Sequence, residues 1–240
     1  MADTRLQIAG SVATVTIDRP PVNALTLASY LEITGVFETL GAREDVSCIV
    51  LTGAGDRAFC AGFDYRQFNS AGASEDDPRR PEVLRTMFET IRNCPLPVVA
   101  AVNGPAIGAG CVLAAVCDIR LAADTARFGL PEIDFGRIGG AAYLAPLVSP
   151  DCLRYMALTG LPLSAQLALR VGLVWDLVEP AALPAAAAAL GAKLASKPRP
   201  ALAAMKTALG QLAGRSIVDG YRFEQEQSVA LRKLLEGGGR

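Results

Sequence analysis

An α/β core of largely parallel strands, followed by a helical tail, is the fold class this 240-residue sequence predicts. Three observations predict it. Short apolar runs of strand character alternate with amphipathic helical spacing through residues 1–180, the pattern of parallel pairing through right-handed crossovers. After residue 180 the pattern changes: 181–196 is alanine-rich with the strongest intrinsic helix propensity in the chain, and further helical segments follow to the end. Hydrophobic residues make up 51% of the chain, yet the longest apolar stretch, 96–117, is broken by Asn103, Gly104 and Pro105, so this content is destined for a core and not for a bilayer.

Taken in order, "LQIAGSVATVTIDRP" reads as two short strands around Gly10-Ser11, a hairpin signal. "LTLASYLEITGVFETLGA" (25–42) has helical spacing of Leu27, Leu31, Val36 and Leu40, with Thr26 as its cap. "VSCIVLTGAG" (46–55) is a buried strand entering a glycine turn. "NSAGASEDDPRRP" (69–81) has the glycine, serine, proline and charge of a mobile surface loop. "PEVLRTMFETIRNC" (81–94) is an amphipathic helix opened by proline. "LPVVAAVNG" (96–104), "CDIRLAA" (117–123) and "GLVWDLVEP" (172–180) supply the remaining strands. Three helical segments follow in the tail, whose apolar faces would pack either on another subunit or back on the core.

Charge and composition exclude several classes of function. The net charge is −1 and basic residues are dispersed apart from "DPRRPE" (77–82), which argues against nucleic acid as a partner. The N-terminus has no basic leader before an apolar core, so no secretory signal is expected and the chain reads as cytoplasmic, with no membrane partner. Six cysteines fall mostly in apolar stretches without a CxxC pair, which predicts buried reduced thiols. Histidine is absent. That removes His-based triads, His-ligated metals and imidazole bases, and leaves proton transfer to carboxylate, Tyr, Lys or Cys.

Two turns share one construction of buried strand, glycine-containing bend and helix start: "FCAGFDYRQF" (59–68) and "NGPAIGAGCVL" (103–113). Amides at a helix start have no partner inside the helix and can face negative charge. Neither turn matches GxxxxGK[ST] or GxGxxG. Two turns giving one N–H each suit a single oxygen better than a phosphate, which is the arrangement of an oxyanion hole. Taken singly, a glycine after a strand is simple turn geometry as readily as a functional device.

The set is more specific than its members. "RPPVNAL", "AFCAGFDYRQF", "PVVAAVNGPAIGAGCVLAAVCDIRLAAD", "ARFGLPEIDFG" and "LTGLPLSAQLALRVGLVWDLVEP" occur in this order. Together they resemble the crotonase superfamily, also called the enoyl-CoA hydratase/isomerase family, over roughly residues 5–235. The resemblance implies a crotonase-like ββα spiral catalytic core over 1–180 and a C-terminal helical region over 181–240 that assembles a homotrimer, or a hexamer as a dimer of trimers. It implies an acyl-CoA thioester substrate, with coenzyme A carried on the substrate and no separate cofactor. By motif position, Phe63 and Ala109 are the two backbone donors to the thioester oxygen. Loss of a donor of this kind costs about 3 to 4 kcal/mol of barrier. Ala61, Asp64, Tyr65 and Arg66 stand around the first turn as substrate-binding positions, with Arg66 where a basic residue meets the nucleotide phosphates. Asp64 reads as fixing that turn. Val22 and Ala24 stand where the family cradles the adenosine or pantetheine portion. The family's common closing segment, which often covers CoA, does not follow "LLEGGGR", so tight CoA binding by that route is not expected.

The acid–base set departs from the family's hydratases. Those carry two glutamates, and the resemblance places them at Val112 and at Glu132 of "LPEI". One carboxylate is kept and the other has become aliphatic. A lone carboxylate suits a proton shuttle between two carbons, the Δ3,Δ2-enoyl-CoA isomerase pattern, and burial among Leu130, Pro131 and Ile133 should strengthen it as a base. A hydratase or hydratase-lyase working with one glutamate, as in some feruloyl-CoA enzymes, is the nearest alternative. A non-catalytic acyl-CoA-binding subunit is the alternative of another class. Gly140 stands where dienoyl-CoA isomerases and chlorobenzoyl-CoA dehalogenases carry aspartate, which disfavours both chemistries. Asp134 and Arg137 form a local ion pair or enter the pocket. Tyr143 packs or, facing inward, donates a proton.

Overall fold

The computed structural model describes residues 2–64 and 78–237. The predicted hairpin forms from β1 (Thr4–Ala9) and β2 (Val12–Ile17), paired antiparallel from Thr4 opposite Ile17 to Ala9 opposite Val12. Next, α1 (Leu27–Ala42) starts on a reciprocal cap: the Thr26 hydroxyl accepts from the Ser29 amide and the Ser29 hydroxyl accepts from the Thr26 amide. A cap of this kind is worth about 1 kcal/mol. The buried face of α1 is Tyr30, Ile33, Phe37 and Leu40. Leu31, expected on that face, is 56% exposed, because the buried stripe runs through Tyr30, Ile33, Phe37 and Leu40 and position 31 falls beside it.

The strands β3 (Cys48–Gly53), β4 (Val98–Val102), β6 (Ile119–Ala123) and β9 (Asp176–Val178) join the hairpin in a six-stranded sheet of order β1-β2-β3-β4-β6-β9. Every pairing after the first is parallel. The crossovers run through α1, through α2 (Arg80–Arg92) and through α3 (Ala109–Val116). One sheet face, with Val15, Ile17, Leu51 and Val102, packs against these helices to form the main core. The opposite face, with Cys48, Val50, Val99 and Leu121, is covered by α7 (Leu183–Ala195) through Leu183 and Ala187. Of the two expectations for the tail, α7 folds back on its own core.

The sequence reading missed a second sheet. Here β5 (Ala106–Ile107) pairs parallel with β7 (Arg127–Gly129), and β7 pairs antiparallel with β8 (Leu163–Ser164). Strands of two or three residues have no periodicity to read. A 3-10 helix (Pro131–Phe135) leaves β7 directly. The short helices α4 (Ala141–Leu144), α5 (Pro150–Thr159) and α6 (Ala165–Arg170) lead back to β9, and α8 (Arg199–Gly210) and α9 (Ile217–Gly237) close the chain. The expected surface loop 69–81 lies mostly outside the described residues. Cys48, Cys60, Cys94, Cys111 and Cys117 are buried free thiols, and Cys152 is half-buried. Among the described residues, no helix is long and apolar enough to cross a membrane.

Candidate active site

The two glycine turns meet. Cys60 bridges Ala106 in parallel, and the Ile107 amide donates to the Cys60 carbonyl at 3.0 Å. The contact is close enough that a Cβ placed on Gly62 would stand 3.4 Å from the Ala109 nitrogen. On its far side the first turn is stitched to α1. Leu25 and Phe63 form a parallel bridge in which the Leu25 amide donates to the Gly62 carbonyl and the Asp64 amide donates to the Leu25 carbonyl. The Phe63 amide takes no part in that bridge. Ala109 opens α3 with no side-chain cap, so its amide has no acceptor within the helix.

A cavity of about 390 Å³ lies where these turns converge, and Ala61, Phe63, Ala109, Val112 and Glu132 all line it. Glu132 comes from the 3-10 helix that β7 delivers. Its Oε1 sits against Gly108, where an added Cβ would lie 2.8 Å away. Gly108 also has φ 55, so glycine is required there twice over, by conformation and by contact. The other carboxylate oxygen, Oε2, is buried without a hydrogen-bond partner. Burial holds the Glu132 carboxyl above the usual carboxylate range, partly opposed by a hydrogen bond from its own backbone. Part of the same cavity is apolar. Val112 is buried, and its Cγ2 would be 2.7 Å from a Cβ on Gly140, so an aspartate there would have to displace it.

The remaining candidates divide. Asp134 and Arg137 both line the cavity, and Asp134 packs against Gly160 at the end of α5. Tyr143 packs edge-on against Phe88, centroids 5.3 Å apart, and is not among the cavity's lining residues. Tyr65 and Arg66 lie outside the described residues. Asp64 is turned away from the cavity: it is buried, and its carboxylate accepts from Arg19 Nη1 at 2.6 Å. The same Arg19 nitrogen donates to the Ala24 carbonyl at 2.8 Å, and the Val22 carbonyl accepts from the Ala61 amide at 3.1 Å. Val22 and Ala24 thus brace the first turn, and neither is among the residues that line this cavity. Asn23 completes the brace, its Nδ2 donating to the Ala54 and Ala58 carbonyls.

Sequence reasoning missed Arg19, Arg80 and the aromatic lining. Arg80 stacks over the Phe63 ring at 3.8 Å from its centroid, a cation–π contact beside the first turn. "RPPVNAL" contained Arg19, but the signal for it lay in a partner 45 positions away. Cys60 and Cys111 flank the turns, yet burial pushes both thiols up to about 12, which keeps them protonated and poor nucleophiles. A larger hollow of about 700 Å³ lies on the outer face of the six-stranded sheet, lined by Thr14, Thr16, Thr52 and Asp56.

Known proteins of the same construction fit this geometry. The family model of enoyl-CoA hydratase/isomerase matches residues 7–232. A short-chain-enoyl-CoA hydratase of Clostridium acetobutylicum is 35% identical over 226 residues, covering 92% of this chain and 86% of the relative. An (E)-benzylidenesuccinyl-CoA hydratase of Thauera aromatica is 34% identical over 197 residues, covering 80% and 75%. Among solved structures, an enoyl-CoA hydratase from Bacillus anthracis superposes with a TM-score of 0.89 at 30% identity, covering 94% of this chain and 89% of the other. The spiral of strands and helices described above is the crotonase fold, and the chain belongs to the enoyl-CoA hydratase/isomerase family.

Proposed function

We propose that the protein is an acyl-CoA enzyme in which Glu132 moves a proton while the amides of Phe63 and Ala109 hold the thioester oxygen. The observation that carries this reading is the Glu132 carboxylate: one oxygen against the Gly108 turn, the other buried and without a partner, beside a helix start. Removing a proton next to a thioester puts negative charge on the thioester oxygen, and fixed backbone donors stabilise it without supplying a competing acid.

With Val112 where a second carboxylate would stand and Glu132 on the same cavity, the simplest complete reaction is a Δ3,Δ2 isomerisation. Glu132 takes a C2 proton from a 3-enoyl thioester, the C2–H bonding pair delocalises onto the thioester oxygen as a dienolate, and the C3=C4 pair then takes the same proton back at C4 as the thioester carbonyl re-forms. The double bond ends at C2=C3, with no change in mass. Hydration is the second reading, favoured by Asp134 on the same cavity and by relatives named as hydratases. There Glu132 takes a proton from water as its oxygen joins C3 of a 2-enoyl thioester, then returns it to C2.

CoA is held, on this proposal, by the backbone about Val22, Ala24 and the first turn, with Arg66 toward the nucleotide phosphates. Assembly as a homotrimer or hexamer in the cytoplasm completes the proposal, supported by the apolar side chains that α8 and α9 leave exposed.

The test supplies 3-enoyl, 2-enoyl and aryl-acrylyl CoA esters and follows product mass and absorbance. Isomerisation gives altered absorbance at unchanged mass, and hydration a gain of water. Glu132→Gln should abolish either while CoA-ester binding persists. Full turnover by that variant would end the reading. Absence of turnover by the wild-type chain across the panel, with binding intact, would favour a binding subunit.

A further inference from the structure

Arg120, on β6, is buried, and its guanidinium meets main-chain carbonyls. Nε donates to the Leu173 carbonyl at 2.6 Å, and Nη1 donates to Cys117 at 2.6 Å, Ala115 at 3.4 Å and Ala114 at 3.5 Å. Two of these acceptors, Ala114 and Ala115, are carbonyls of the last turn of α3, and a third, Cys117, is the residue that caps it. Asp118, two residues before Arg120, turns its Oδ2 to Lys206 Nζ and the Val98 amide, both at 2.7 Å. An arginine stays protonated even where burial disfavours its charge. A fixed cation therefore plugs the C-terminal end of a helix whose N-terminal end is Ala109, at the cavity.

We infer that Arg120 is a positioning residue for the reaction: its charge at the C-terminus of α3 sets the polarity with which the Ala109 amide meets the thioester oxygen. The inference rests on the proposed role of Ala109. The helix is only eight residues long, so at a rise of about 1.5 Å per residue its ends stand roughly 12 Å apart. A positive end-charge complements the negative pole of the helix and leaves the opposite pole free to act on an anion. Through an effective dielectric of about 20, a unit charge about 16 Å from a developing oxyanion alters a rate roughly fivefold.

Two variants separate charge from scaffolding. Arg120→Lys keeps the charge with fewer donors, and Arg120→Gln keeps donors without charge. The probe is a saturated acyl-CoA with a ¹³C-labelled thioester carbonyl, its infrared stretch read free and bound, beside kcat and KM. The wild-type carbonyl should shift to lower frequency on binding. Arg120→Lys should keep most of that shift, and Arg120→Gln should lose much of it, with kcat falling roughly fivefold and KM little changed. An unchanged bound frequency in Arg120→Gln, whatever its melting temperature, overturns the inference, as does failure of both variants to fold, since Arg120 would then serve the fold alone. No shift in bound wild-type enzyme would instead sink the oxyanion role of Ala109, a separate failure.

Discussion

Glu132 carries a conflict between stability and chemistry that can be measured. Burial raises the proton affinity of its carboxyl in the folded state, so the folded chain binds that proton more tightly than the unfolded one. Between the ordinary carboxylate range and the raised folded value, the folded state holds more protons, and stability falls as pH rises. Below that window the penalty is absent, and above it the penalty is fully present. Glu132→Gln removes an ionisable group while keeping its shape, so this variant should melt higher than wild type near neutral pH and lose the advantage at acid pH. Thermal melts of both proteins from pH 4 to pH 8 check it, and a variant less stable than wild type at neutral pH would contradict the burial account. The same raised affinity places the acid limb of the kcat/KM profile above the range of a solvated glutamate. The trade follows the general pattern in which active-site groups cost stability.

At the scale of elements, the first turn depends on a group that stands behind it. Arg19 ties the buried Asp64 to the Ala24 carbonyl, and Asp64 follows directly on Phe63. Asp64→Asn removes the nearer of the two carboxylates that face Arg19 and leaves Asp3, 3.6 Å from the arginine's Nε. Breaking a fully buried pair costs about 3–5 kcal/mol, and the partial exposure of Arg19 brings the expectation to roughly 2 kcal/mol, or about 4–8 °C in a chain of this size. If Phe63 is displaced with the turn, turnover should fall by roughly tenfold or more, since misplacement of about 1 Å costs up to about a hundredfold. Calorimetry and steady-state kinetics read both effects, and a variant as stable as wild type would show that Arg19 is no brace. This brace also marks where the sequence stopped being legible. The hairpin, the Thr26 cap, the parallel strands and the proline-opened α2 were readable because propensity, period and turn chemistry agree within ten or fifteen residues. The convergence of Phe63, Ala109 and Glu132 came through the ordered motifs of the family, because no local pattern says that residues 63 and 132 meet. The small sheet of β5, β7 and β8 and the Arg19–Asp64 pair were not legible. The strands are too short for alternation, and an ion pair across 45 positions leaves no periodic trace.

On the scale of the whole molecule, the tail divides into a helix that belongs to this chain's core and two that barely do. α7 fills the outer sheet face, whereas α8 buries only Ala208 among its residues. What fixes α8 is polar: Lys206 Nζ donates to the Leu96 carbonyl and to Asp118, and Arg199 Nη2 donates to the Gly41 carbonyl at the end of α1. Such pins orient a helix more than they bury it. The apolar side chains they leave outward include Leu209 at 60% and Ile217 at 91% exposed, with Met205, Val218 and Tyr221 beside them in sequence. Apolar surface gathered on rigidly oriented helices is the usual mark of a protein interface, and a closed ring hides it where an open contact would propagate. The proposed assembly therefore predicts a light-scattering mass of three chains of 25.0 kDa, about 75 kDa, or twice that for a hexamer. Leu209→Glu combined with Ile217→Glu should move the mass toward one chain while Glu132 and the two turns, on the other side of the sheet from α7, keep their geometry. A wild-type protein that scatters as a single chain at tens of micromolar would leave those helices to some other partner and remove the trimer from the proposal.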